Sequence, residues 1–233
     1  MSRIHSPSAL GRYLPLSGIV FTALMVVGAA AFPMPPGGDV SPASDPDWLA
    51  VHYNGVIAQS YIRGLAALAF LGLAVAVAAA CRRVLPAGSP LPGSALVGGV
   101  MSGGLLLTAQ GVALAAALFA HAGGGADSTR GLGQLQAGLL DMSAIPAVLL
   151  FGAAGITALR TGLLPRWLAI ASLAGVPFAL VDAASYDGGP LESVGLLGLL
   201  FFLAWSLLTG VQLHRAHRGT APLATPTDPA YAR

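Results

Sequence analysis

Three ionisable side chains interrupt otherwise apolar sequence and are the residues best placed to do chemistry: Arg63, Asp141 and Asp182. An ionisable group inside a membrane-spanning stretch is costly, so it faces the bundle interior or a water-filled space. Hydrogen-bonding side chains stand at similar depth: Gln59 and Tyr61 beside Arg63, Gln134 and Gln136 before Asp141, and Gln110 nearer the middle of its own stretch. Such a set supports three chemistries. Arg63 could pair with Asp141 or Asp182 and fix helix register, a sealed pair that contributes more to specificity than to net stability. The same groups could line an outward-facing polar pocket that binds a small molecule or lipid headgroup, or relays protons. Asp141 and Asp182 are also candidate catalytic acids of the kind that small membrane-bound terpene cyclases use to protonate an apolar substrate. A guanidinium beside such an acid would draw its proton off, which counts against the third option unless Arg63 points elsewhere.

Other familiar chemistries are not signalled. The chain has no GxSxG, HExxH or phosphate-binding loop, and no lysine that could carry a retinal Schiff base. His52 and His121 fall at one end of the predicted bundle and His5, His214 and His217 at the other, without a third ligand for any pair. No cofactor and no metal are therefore expected. Cys81 is the only cysteine, which excludes an intrachain disulfide and reads as a small apolar residue. The formal charge of +2 is too mild, and its arginines too scattered, for nucleic acid to be a partner.

The elements that must position these groups follow from composition. Only 9% of the residues are charged and 55% are hydrophobic, against about 25% charged in a soluble domain, so lipid rather than water must solvate most of the surface. A spanning helix needs roughly 20 mostly apolar residues. The sequence predicts an all-α integral membrane bundle of six transmembrane helices, at about 15–32, 55–80, 95–120, 134–159, 165–186 and 191–213. A segment over 1–14 precedes the bundle, and a Pro/Thr/Ala-rich tail over 214–233 is expected to be disordered. Gly and Pro punctuate the spans: Pro33–Gly38, Pro86–Gly93, Gly123–Gly125, Thr161–Pro165 and Asp187–Pro190. Pro146 follows Asp141 by about one turn and predicts a kink beside that acid. The polar stretch 33–54 is read as a solvated loop in which Asp45-Pro46-Asp47-Trp48 could start a helix, aspartate being favoured at a helix amino end, with Trp48 onward lying along the membrane interface.

Arginine orients the chain. Arg3, Arg12, Arg82, Arg83, Arg160, Arg166, Arg215, Arg218 and Arg233 fall on one side, which the positive-inside rule makes cytoplasmic together with both termini. Asp39, Asp45, Asp47, Asp127, Asp187 and Glu192 fall on the other, and the three buried charges lie in the outer half of the bilayer. Tyr13, Trp48, Trp167 and Tyr186 sit near span ends, where amphipathic rings favour the interface. The location implied is the cell membrane, with lipids as partners, and His214, Arg215, His217 and Arg218 placed to meet anionic headgroups. Gly99 and Gly103 form a GxxxG that serves internal packing or, as the alternative, a homo-oligomer or membrane-partner face. The first span also has the basic start, apolar core and small residues (Gly28–Ala31) of a signal peptide, whose removal would leave five spans.

Four features together resemble a family of multi-pass membrane proteins common in actinobacteria and grouped under a domain of unknown function. They are the first span, the polar loop running into His52-Tyr53-Asn54, the arginine-ended second span at Arg82-Arg83, and the run Thr161-Gly162-Leu163-Leu164-Pro165-Arg166-Trp167-Leu168. The resemblance covers about residues 15–210. It implies topology and location and brings no catalytic residues with it. Function is expected to be binding or transport through the polar cluster, with an accessory subunit or an intramembrane enzyme as alternatives.

Overall fold

The computed structural model describes residues 13–30, 46–184 and 192–219, with side chains undescribed at 192–196 and 217–219. A 3-10 turn at Leu14–Leu16 leads into α1 (Ser17–Ala30). Then come α2 (Pro46–Val84), α3 (Leu91–His121), α4 (Ala126–Met142), α5 (Ala144–Thr161), α6 (Arg166–Ala184) and α7 (Glu192–Gly219). The all-α bundle expected from the sequence is what forms. Five helices, counting α4 and α5 as one, are long and apolar enough to cross a membrane, which suggests a multi-pass membrane protein; α1 is apolar but shorter over its described residues.

The helices close into a ring. Each packs on its neighbours in the order α1, α2, α3, α5, α6, α7, and α7 returns to α1. Small residues set the closest approaches. Gly98 lies against α5 at Pro146 and Leu149, Gly99 against Ala74 of α2, and Gly103 against Leu71 of α2. The GxxxG spacing is thus occupied by packing inside the chain, where absent side chains let backbones approach. Gly18 and Gly210 bring α1 and α7 together in the same way, with a side chain at either position running into the opposite backbone.

Helix ends differ from the sequence expectation on one side of the ring. α2 starts at Pro46, at the helix start that Asp45-Pro46-Asp47-Trp48 offers rather than near residue 55, and runs into the span through a kink at His52 (φ −103°, ψ 15°). The His52 ring takes part in holding that kink, with Nδ1 2.9 Å from the Trp48 carbonyl and the ring stacked on Trp48. α2 has 39 residues, about 58 Å at 1.5 Å per residue, nearly twice the roughly 30 Å of a hydrocarbon core. Leu49 and Val56 pack with Ala116, Ala117 and Ala120 of α3 and with Leu132 of α4, and Tyr53 stacks on His121. Three helices therefore continue together beyond the length a bilayer needs. Hydropathy did not show this because those turns are not selected for apolarity all round.

At the other end Gly162 stops α5 in the left-handed conformation (φ +70°), its N–H returning to the Ala158 carbonyl at 2.9 Å, as Gly does just beyond a helix C-terminus. α7 runs on to Gly219, six residues past the end expected at 213, and His214 is half-buried against the bundle rather than turned wholly to a headgroup surface. Trp48 is held in the outer cluster, whereas Tyr13 and Trp167 are exposed near helix ends. Arg3, Arg12, Asp39, Asp45, Tyr186, Asp187, Arg233 and most of the expected tail lie outside the described residues, as do the side chains of Glu192, His217 and Arg218.

Candidate functional site

The ring is solid through one half and hollow in the other. A cavity of about 250 Å³ opens among the helices, and every helix of the bundle contributes to its wall. Arg63 comes from α2, Gln110 from α3, Asp141 from α4 and Asp182 from α6. The rest of the lining is largely apolar and aromatic: Phe21 and Met25 from α1, Phe178 from α6, Phe201 and Phe202 from α7. Phe21 and Phe202 meet edge to face at 5.5 Å between centroids, and Phe178 stacks on Phe201 at 5.5 Å. The rings therefore form a stiff apolar part of the wall. A small apolar pocket with a few convergent polar side chains is the usual form of a small-molecule site, although this one falls just below the ordinary size range of about 300–1,000 Å³.

Two prolines shape the wall. Pro146 has no N–H to give to the Met142 carbonyl, and the helix breaks at Ser143 between α4 and α5. Ser143 repairs the turn by bonding backward: its hydroxyl donates to the Leu140 carbonyl at 2.6 Å, and its N–H to Leu139 and Leu140 at 3.1 Å each. Asp141 leaves the chain on this last turn of α4. Beside that acid, where a kink was expected, the helical hydrogen bonding is interrupted at Ser143 while its backbone keeps helical angles (φ −66°, ψ −22°). Pro177 likewise lacks an N–H inside α6, which continues through it, and Phe178, Ala179 and Asp182 of the cavity wall follow it.

Two glycines receive the charged side chains. A Cβ on Gly28 would stand 3.2 Å from Cγ of Arg63, so the arginine stem lies on α1. A Cβ on Gly198 would stand 3.4 Å from Oδ1 of Asp182, so that carboxylate lies on α7. Asp141 and Asp182 are near enough for their charges to interact, and like charges in a low dielectric repel. Among the described residues neither Arg63 nor Asp141 forms an ion pair; a 3.6 Å contact between exposed Arg130 and Asp127 is a surface pair at the far end of α4. The register-fixing pair of Arg63 with Asp141 or Asp182 is therefore not formed. The arginine stem packs on Gly28 of α1 while its head group borders the same cavity as the two acids. Its Nε is buried without an acceptor, and so is the Ser102 hydroxyl in the cavity wall.

The remaining candidates go elsewhere. Gln59 shares a helix face with Arg63, but its amide donates to the Gly28 carbonyl at 2.8 Å, satisfying a group in the last turn of α1. Tyr61 is 63% exposed and borders a shallow groove between α2 and α3. Gln110 borders both that groove and the central cavity. Gln134 is exposed and Gln136 half-buried, and neither lines the cavity. Sequence reasoning missed the phenylalanine wall, Gly28, Gly198 and Pro177. Of these only Pro177, a proline inside a span, carried a signal that could have been read. Among the described residues no three His, Cys, Asp or Glu side chains gather as a metal site, so the cavity's chemistry rests on one guanidinium, two carboxylates and an amide. Comparison with protein-family models, with curated proteins and with solved structures finds no match to this chain.

Proposed function

We propose that this is a plasma-membrane protein with both termini cytoplasmic that binds a small molecule in the central cavity and carries or presents it across the outer half of the bilayer. One observation carries the reading: Arg63 and Asp141 border the same cavity without closing on each other. Charges held in a bundle interior without mutual neutralisation need water or a charged ligand to compensate them. A sealed accessory subunit would be expected to bring them together and leave no space. The orientation rests on the arginine distribution, and the actinobacterial family resemblance on the sequence motifs.

The test is solvent access. Cys81 is fully buried and can be replaced by alanine, after which Asp141→Cys is treated in intact cells with a membrane-impermeant thiol reagent. Labelling is expected at position 141 and at an Asp127→Cys control, whose native side chain is fully exposed, and not at Arg83→Cys. Labelling of the Asp127→Cys control without labelling at 141 would sink the binding reading in favour of an accessory subunit. Labelling of Arg83→Cys alone would invert the orientation.

A second reading keeps one specific support. Because Arg63 does not neutralise Asp141, and four phenylalanines border the cavity, an acid that protonates an apolar substrate has both its proton source and rings able to stabilise a cation. Turnover of a prenyl substrate by purified protein, lost in Asp141→Asn, would replace transport with catalysis.

A further inference from the structure

We infer that the ligand of this cavity is a small amphipathic zwitterion, its anionic group held by Arg63, its ammonium group by Asp141 with Asp182 behind it, and its apolar body against the phenylalanine wall. The inference rests on the binding reading above and specifies its ligand class. Three observations and one general preference carry it. The Arg63 Nε is buried with no acceptor while its side chain lines the cavity, so an anionic group supplied from the cavity would satisfy it. A guanidinium prefers a planar, bidentate anion such as a carboxylate or phosphate. Asp141 and Asp182 come from different helices and border the same cavity, so two carboxylates face one space that a cation can enter. The guanidinium and the Asp141 carboxylate are on the same cavity without an ion pair, which leaves separate places for two opposite charges. A ligand with only a cation would leave the arginine orphaned, and one with only an anion would leave Asp141 without a counter-charge.

Size narrows the class further. A volume of about 250 Å³ equals roughly eight waters at about 30 Å³ each, room for one ring or branched chain with its charged groups. The same anion–ammonium chemistry occurs on a free amino acid and on a phosphatidylethanolamine headgroup whose tails would stay outside, so the experiment must separate the two.

Full-length protein in nanodiscs of phosphatidylglycerol alone is titrated calorimetrically with L-phenylalanine, 2-phenylethylamine and 3-phenylpropionate, which share a ring and differ by one charge at a time. The zwitterion is expected to bind at least about tenfold more tightly than either singly charged analogue, since a hydrogen bond to a charged group is worth about 1.5 kcal/mol or more. In Arg63→Gln the preference over phenylethylamine should vanish, and in Asp141→Asn the preference over phenylpropionate. Arg63→Lys, which keeps the charge, guards against a variant that fails to fold and should retain part of the preference. If L-phenylalanine binds only after phosphatidylethanolamine is left out, the lipid headgroup is the competing source; if phosphatidylethanolamine has no effect, the ligand is a free zwitterion. Equal binding of amine and zwitterion, or of anion and zwitterion, overturns the assignment. So does absence of binding by all three analogues and by phosphatidylethanolamine; if position 141 is still labelled from outside, the ligand class fails and the binding site stands.

Discussion

The two halves of the ring are built from the same kinds of residue and end differently. Toward the arginine-rich end, Ala76, Val77, Ala80 and Cys81 of α2 interlock with Ala154 and Ala158 of α5, Leu168 and Ala169 of α6 and Leu213 of α7, all nearly inaccessible. Trp205 fills the centre of this half. Its ring stands edge-on to Phe151 at 4.7 Å, and its indole N–H donates at 2.8 Å to the Ser172 hydroxyl, which itself donates to the Leu168 carbonyl. In the other half, helices of the same alanine and glycine content surround a space instead of a side chain. What differs is the placement of proline and charge. Pro146 and Pro177 stand in the helices that wall the cavity, each leaving one carbonyl of the preceding turn without its helical N–H, and Arg63, Asp141 and Asp182 cannot be buried against each other as alanines can. A solid half is what small residues produce in lipid when nothing prevents close approach; a cavity needs groups that resist it.

The largest expected effect breaks the solid half. Trp205→Ala removes the central ring and leaves the Ser172 hydroxyl without its indole partner. It should destabilise the protein by about 3–5 kcal/mol, the usual range for a buried aromatic cut to alanine. The measurement is the thermal unfolding midpoint in detergent, and a shift indistinguishable from that of a surface substitution would end the claim that this half holds the bundle together.

A matched pair sharpens the contrast. Ala169 in the solid half is fully buried and Ala179 borders the cavity. Ala169→Leu should overpack and cost about 1–3 kcal/mol, while Ala179→Leu should fall within about 1 kcal/mol of the native protein, because its extra carbons enter existing space. In the binding assay Ala179→Leu should nonetheless abolish zwitterion binding. Equal destabilisation of the two variants would mean that the cavity is not functionally empty space.

Smaller effects separate positions on one helix. Gln59→Ala leaves the Gly28 carbonyl unsatisfied and should cost about 1 kcal/mol without changing ligand affinity, since Gln59 does not line the cavity. Gln134→Ala, exposed on α4, should shift stability by less than about 0.5 kcal/mol and leave binding unchanged. A loss of binding in either would enlarge the site beyond the cavity drawn above.

The spans and their breaks were readable because length and punctuation are local. Gly162 beyond α5 and Pro90–Pro92 before α3 mark ends that any environment would impose. The outer extension of α2 was readable in part: Asp45-Pro46-Asp47-Trp48 signals a helix start, and the helix does begin at Pro46, but that it runs on into the span, with Leu49 and Val56 packed on Ala116, Ala117 and Ala120, was not. The site was half readable. That Arg63, Asp141, Asp182 and Gln110 should face inward follows from the cost of charge and amide in lipid, and all four line the cavity. Tyr61, two residues from Arg63, points the other way, and Gln134 and Gln136 stay off the cavity. Rotation about a helix axis is normally read from an apolar stripe; α2 carries almost none, whereas α4 does carry one, and that stripe was the signal that could have placed Gln134 away from the core.

By itself, then, the sequence determined that the chain is a bundle of apolar helices, where those helices break, and which charges must avoid lipid, because each follows from the properties of single residues or short runs. Only the tertiary structure decided which face of each helix meets which neighbour, that Gly28 and Gly198 receive Arg63 and Asp182, and that the arginine does not close on the acids. Those outcomes depend on where distant helices touch, and contact between residues far apart in sequence is not written in the pattern of either one.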